Sequence, residues 1–565
     1  MDATQRLHEM LSSLEGIHSG SPVQREEWVI AAFNLIDQLC ASDMGKALRL
    51  HHEMRALAEA HGDEPALREH WASAVVNLTN SLPAFDLGEA RWMHEILKAV
   101  ATKHNDESVL RDRWAQSACN LILHLCKSNM DEAVGLHEEM KALVDVFKAE
   151  PELRRYWAES GYVLIVDLRV FHLEKAVEIH EEIKALSVAH AREHKLRECW
   201  AEAAIVLIDS IAATDIPRAQ RLHRDIESVM ESHSDESALR QGWAKATNNL
   251  IAHMRYCDMS QARELLAAMM ALAKAYSADP ALRESWDMAA YNVIVELGLT
   301  DLPRARMLHW QMKAVAVAHS SQPALRENWS DTAVKLVDIF GTSDLQAARQ
   351  LHAEMWELAH DHYDEPILRV GWAKAATRLI VHSEEGDLSW ARGLHGKLKA
   401  LSEAHSGEAA LREEWVLAAL NLNKSLCSSD MFEALRLHGE IKALADFYDS
   451  ESILREIWTT AAVNMMVVLG AGDIARAGQL LGEVKALSQS YSDEPVLRQR
   501  WSEAARNLIV HLRSRNLFAV RRLRREMKSL AEDHWDEPGL LYSWSMAAPP
   551  FIVKCKRWLQ EKFHL

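Results

Sequence analysis

The chain has 565 residues and a formal charge of −18, from 82 acidic and 64 basic side chains. An apolar share of 48% is ample for a core, and 21 glycines with 13 prolines leave little room for disordered linkers. The acidic balance disfavours general binding to nucleic-acid backbones and suits basic or neutral polypeptide partners.

Thirteen tryptophans recur at intervals of 43 residues, from Trp28 to Trp544, without a slip in register. A fixed period of this length marks a stacked-repeat protein. Residues 1–20 read as an N-terminal half-repeat, a lone second helix entering at His8. Residues 21–536 read as twelve tandem 43-residue helical hairpins. Residues 537–565 read as a degenerate last repeat, interrupted by Pro549 and Pro550, and a C-terminal capping helix over Phe551 to Leu565.

Residues 43–82 show the unit. Asp63-Glu64-Pro65 marks a helix start, because proline in the first turn needs no amide partner and acidic residues complement the helix dipole. Proline holds this position at Pro22, Pro65, Pro151, Pro280, Pro323, Pro366, Pro495 and Pro538. A tryptophan helix of about 17 residues follows, with Trp71, Ala74, Val75, Leu78 and Leu82 on one apolar stripe. A short polar turn ending in Asp or Asn, as at Asp43, caps the second helix. There Ala47, Leu50, His51, Met54, Leu57, Ala58 and His61 form another stripe. One hairpin cannot cover both stripes, so the repeats must stack. Alanines at recurring contact points, Ala290 and Ala305 among them, let helix axes come close.

Paired helices, alanines at helix contacts and a tryptophan near the start of the first helix resemble the tetratricopeptide repeat (TPR). The resemblance spans nearly the whole chain. It implies an all-α fold, a right-handed superhelical α-solenoid of about 13 two-helix repeats, and a role in holding other proteins. The unit departs from the TPR pattern in length, 43 residues, and in lacking glycine and tyrosine after the tryptophan. Sel1-type repeats have glycine-rich turns that are absent here. Armadillo repeats grip peptides with Trp–Asn arrays. Here asparagine follows tryptophan by six residues, about 240° around the helix, so the two face apart.

Three polar ladders run through the repeats. Arginine precedes the tryptophan by three in every copy but the last, as in Arg68–Trp71, Arg111–Trp114 and Arg283–Trp286, and reads as structural: stacking, or pairing with a neighbour's acidic turn. Histidines stand twenty before the tryptophan (His51, His94, His137) and ten before it (His61, His104, His190). Leucine, phenylalanine and tyrosine replace them in other copies, so they read as packed core histidines rather than metal ligands. The third ladder, Asn34, Asn77, Asn120, Asn249, Asn292, Asn421, Asn464 and Asn507, borders the apolar stripe and is the candidate partner-binding track. Val163, Val206, Lys335 and Arg378 interrupt it, so Asn34–Asn120 and Asn421–Asn507 are the better patches.

No metalloprotease, P-loop, dinucleotide-binding or nucleophile-elbow motif occurs, and no repeat carries an inserted loop, where active sites usually sit. The expectation is therefore no enzyme, no cofactor and no metal. Seven cysteines form an odd set without a CxxC pair; Cys40, Cys126 and Cys427 share one repeat position that leucine or methionine also fills. They behave as small hydrophobes and point to a cytoplasmic location. No signal peptide and no transmembrane segment are expected. The reading is a scaffold that binds a protein or extended peptide in a helix-lined groove. The alternative is a self-associating structural protein; a nucleic-acid reader fits the charge poorly.

Overall fold

A computed structural model describes Glu9 and residues 16–82, 86–383 and 387–547. His8 and most of the expected N-terminal half-repeat lie outside the described residues, as does the expected capping helix from Phe551 to Leu565. The described residues form twenty-five α-helices and no strand. Thirteen tryptophan helices, from Pro22–Cys40 to Pro538–Ala547, alternate with twelve second helices, from Met44–Ala60 to Leu517–Asp533. The architecture is an all-α solenoid. It divides into two compact units, Met1–Val293 and Ile294–Leu565.

The breaks follow local chemistry. Pro65 opens the helix Pro65–Ser81, and Glu64 is its N-cap. The Asp43 carboxylate accepts from the Lys46 amide at 3.1 Å and caps Met44–Ala60. The same cap recurs at Asn129, Asp215, Asp258, Asp301, Asp344, Asp430, Asp473 and Asn516. Five tryptophan helices run 21 residues, longer than the sequence pattern suggests. In those copies the helix runs on to the residue before the next cap, even where glycines lie in its last turns, as at Gly298, Gly341 and Gly470.

Each unit packs in the same way. In the first, Pro65–Ser81 lies against the tryptophan helices Pro22–Cys40 and Ser108–Leu125, and Met44–Ala60 fills the furrow between Pro22–Cys40 and Pro65–Ser81. In the second, Leu345–Asp361 lies between Pro323–Ser343 and Pro366–Val381. Tryptophan helices approach one another closely, whereas neighbouring second helices stand further apart. Trp71, Ala74, Val75 and Leu78 are buried, as are Leu50, His51, Met54 and Leu57. Each large aliphatic side chain so buried contributes about 1.5–3 kcal/mol. His61 leaves its expected stripe: it is the C-cap, with φ −120° and ψ 56°, so its ring turns from the core toward the next helix start.

The helix Ser452–Gly472 is long and apolar enough by composition to cross a membrane, and 61% of its most apolar window is buried in the protein. Trp458, Ala461, Ala462 and Met465 are among its buried residues, as their counterparts are in other tryptophan helices. Ala290 and Ala305 are fully buried. Ala305→Leu should therefore overpack its contact and cost about 1–3 kcal/mol. A urea unfolding curve should show a lower midpoint; an unchanged midpoint would contradict the close approach at this position.

Candidate interaction surface

The arginine ladder is the junction between repeats. Eleven of its members are buried, and all of these but Arg240 form an ion pair with the glutamate 39 residues ahead: Arg25–Glu64, Arg68–Glu107, Arg111–Glu150, Arg154–Glu193, Arg197–Glu236, Arg326–Glu365, Arg369–Glu408, Arg412–Glu451, Arg455–Glu494 and Arg498–Glu537. These glutamates sit at the starts of the following tryptophan helices, and where they are the N-caps they leave their own amides uncapped and reach back to the preceding repeat. The Arg154 Nε lies 3.1 Å from Glu193 Oε2, and its Nη1 donates to the Lys148 carbonyl of its own turn. Arg326 does likewise, with Ser320 O at 2.7 Å and Glu365 Oε2 at 3.0 Å. A planar fork held by a carboxylate on one side and a carbonyl on the other fixes orientation as well as distance.

The residue ten before each tryptophan completes the junction. Where it is aromatic it lies on the preceding repeat's guanidinium: Phe147 on Arg111 and Tyr276 on Arg240 at 4.0 Å, Tyr448 on Arg412 at 4.1 Å. Where it is histidine its Nδ1 faces the same glutamate, as in His104–Glu107 at 3.7 Å and His190–Glu193 at 3.6 Å. Arg240 differs: Asp279 stands where others have glutamate, and it accepts from Gln241 at 3.1 Å. Arg283 is half-buried and donates to the Ser277 carbonyl, beside the buried Trp286. Sequence reasoning named a neighbour's acidic turn as a partner but not which residue of it pairs, nor that every pair runs to the following repeat. The signal is the constant interval of 39 residues between arginine and glutamate.

The other histidine rung lies inside each hairpin. Trp71 Nε1 donates to His51 Nε2 at 2.9 Å, Trp114 to His94 at 3.2 Å and Trp415 to His395 at 2.9 Å. His137 stacks on Trp157 at 5.2 Å and its Nδ1 meets Ser160 Oγ at 2.7 Å. Burial holds His51 and His137 down to about 3. It holds His94, His223, His309, His352, His395 and His438 down to about 4. Among the described residues no three histidine, cysteine or acidic side chains gather as a metal site.

The asparagine ladder lies on the tryptophan helices, and its members differ. Asn120 donates to the Val76 carbonyl of the preceding repeat at 3.1 Å, and Asn249 to the Ile205 carbonyl at 3.4 Å. Asn77 reaches Asp37 at 3.3 Å, and Asn292 reaches Asn248 at 3.3 Å while accepting from Arg255 at 2.5 Å. Asn34 is exposed; Asn421, Asn464 and Asn507 are half-buried. Among the described residues, no neighbouring repeat takes up the amides of Asn464 and Asn507. Three residues on, and so on the same helix face, stand exposed Val467 and Val510; Leu123 holds that place after Asn120. At Asn120, Asn464 and Asn507 the open face thus sets an amide beside an apolar side chain, whereas Asp37, Asn80 and Lys424 hold that place after Asn34, Asn77 and Asn421.

No protein-family model matches this chain, and no curated protein does. A solved structure from a study of a phosphorylation switch controlling the interaction between cadherin and beta-catenin matches 84% of this chain and 99% of its own. The identity is 12% and the TM-score 0.33, too low to carry an argument. The class is what the packing itself defines, an α-helical repeat solenoid.

The buried rung sets a pH dependence. These histidines are neutral when folded and titrate near 6.5 when unfolded, so below that pH the unfolded chain binds more protons. Their stabilising contribution is complete above about 6.5 and is lost as pH falls toward 4, at up to about 1.4 kcal/mol per histidine per pH unit. The melting temperature should drop between pH 7.5 and pH 5.5 by the arithmetic of linkage. A flat profile would show that these rings are not held neutral.

Proposed function

We propose that this chain is a non-enzymatic, TPR-like scaffold, built on a 43-residue unit, that binds a protein or extended peptide along the asparagine-bearing face of its tryptophan helices. The observation that carries this reading is the patch around Asn464 and Asn507. Their amides are not spent on tying repeats together, as those of Asn120 and Asn249 are. Each is followed by an exposed valine on the same face. An asparagine amide offers one donor and one acceptor, the complement of a peptide unit. Packed helices stand about 8–10 Å apart. An extended chain rises about 3.3 Å per residue, so one rung meets every third residue of a bound segment. A cytoplasmic location belongs to the same proposal, supported by free cysteines at Cys40, Cys119, Cys126, Cys199, Cys257 and Cys427.

The test is capture of partners from the native lysate at about 150 mM salt, repeated with Asn464→Ala/Asn507→Ala. Loss of two neutral hydrogen bonds should weaken the retained partner by about 1–3 kcal/mol in total. Deleting two interior repeats in register should leave a folded protein with weaker binding. Equal retention by the double variant would remove the asparagine face as the site.

A further inference from the structure

The second helix Leu302–Ala318 departs from its counterparts. Its inner side is ordinary, with Ala305, His309, Met312 and Ala316 buried. Its outer side is apolar as well: Pro303, Met307, Trp310, Ala314 and Val317 are all exposed and form one helical stripe. Where Trp310 stands, other second helices carry charged residues such as Glu95 and Arg224 or small ones such as Ala267 and Gly396, and none carries another tryptophan. The six tryptophans outside the period include this one, and nothing in the repeat packing requires it, since 66% of its surface is open.

Trp310 borders a cavity of about 520 Å³. Leu302, Pro303, Met307 and Trp310 form one wall, and Phe340 with Ala347 the other. The volume suits a large apolar side chain together with its backbone. Arg306 stands at the rim. The helix contains no acidic residue, although the whole chain carries a charge of −18. Arg304 is paired with Asp301 at 2.6 Å and Lys313 with Glu354 at 3.0 Å. Arg306 has only the Gln350 amide oxygen, at 3.1 Å, and no carboxylate within ion-pair reach among the described residues. Asp344 closes the far side of the cavity, with its Oδ1 held by the Ala347 amide at 3.0 Å.

We propose that this cavity docks a peptide segment of a partner protein that presents one large apolar side chain with a carboxylate within two residues of it. The apolar group enters beside Trp310 and Met307, and the carboxylate takes the Arg306 fork. Asp344 repels a second acid at the far wall and so sets the direction of the segment. A basic segment would face Arg306 and is rejected. The site lies between the second helices Leu302–Ala318 and Leu345–Asp361, with Phe340 from the end of the tryptophan helix Pro323–Ser343, and its residues are not those of the asparagine ladder.

The test is selection of random displayed peptides on the intact protein. Enriched sequences should pair Phe, Trp or Leu with Asp or Glu within two residues. Trp310→Ala and Arg306→Glu should each weaken a selected peptide about tenfold or more, the scale of an interface anchor. Both residues are exposed, so the variants should melt as the parent does. Selection on Arg306→Glu should instead enrich Lys or Arg beside the apolar residue, a reversal that a merely structural role would not produce. Enrichment without an acidic residue, or binding indifferent to both substitutions, overturns the proposal. So does concentration-dependent sedimentation abolished by Trp310→Ala, which would make a second copy of the chain the occupant.

Discussion

A buried guanidinium that only two successive repeats can satisfy is the constraint on which the stack depends. Arg154 meets its own turn through the Lys148 carbonyl and the next repeat through Glu193. Removing either partner leaves a buried polar group short, which costs about 1.5–3 kcal/mol for a charged hydrogen bond. The apolar stripes impose the same condition without direction, since the stripe around Trp157 stays wet until a neighbouring helix covers it. Burial supplies most of the energy, and the arginine–glutamate pair fixes the register and angle at which burial happens.

This division explains where the chain tolerates change. The tryptophan helices approach closely and demand small residues: a Cβ on Gly371 would run into Ser330 Oγ of the preceding tryptophan helix, and one on Gly161 would meet Ile183, His137 and Ile179 of the second helices packed against it. The second helices stand further apart and are joined mainly by long ion pairs such as Lys98–Glu139 and Lys442–Glu483, which are partly exposed and contribute little each. Positions on that layer are free to vary, and Trp310 is a variation that opens an apolar cavity. On a repeat scaffold the positions left for recognition are those that stacking does not use, whether a ladder residue left untied or a departure from the consensus.

Helix boundaries and the all-α class were legible in the sequence because Pro65, Asp43 and the tryptophan period act locally. The length of the helix Pro151–Phe171 was not, since no residue in its last turn separates it from shorter copies such as Ser108–Leu125. His61 shows the limit of periodicity: spacing put it on the stripe, but the C-cap backbone turned it away. The sequence shows where the asparagine track is interrupted but not how its members differ: Asn120 is tied to Val76 and Asn464, among the described residues, to no neighbouring repeat. Spacing gives a residue its face, while its partner depends on how the adjacent repeat is docked. Trp310 carried a readable signal, a tryptophan where other copies have charged or small residues, and only the neighbouring Phe340 and Ala347 turn that signal into a cavity.

The most direct test of the junction is amide hydrogen exchange on the intact protein with Glu193→Gln. The substitution keeps the shape of the side chain and removes the charge that Arg154 faces. Nearest-neighbour coupling predicts faster exchange confined to Pro151–Phe171, His194–Ala212 and the second helix between them, with Pro22–Cys40 unchanged. Unchanged protection at that junction, or a uniform loss along the whole chain, would contradict the account.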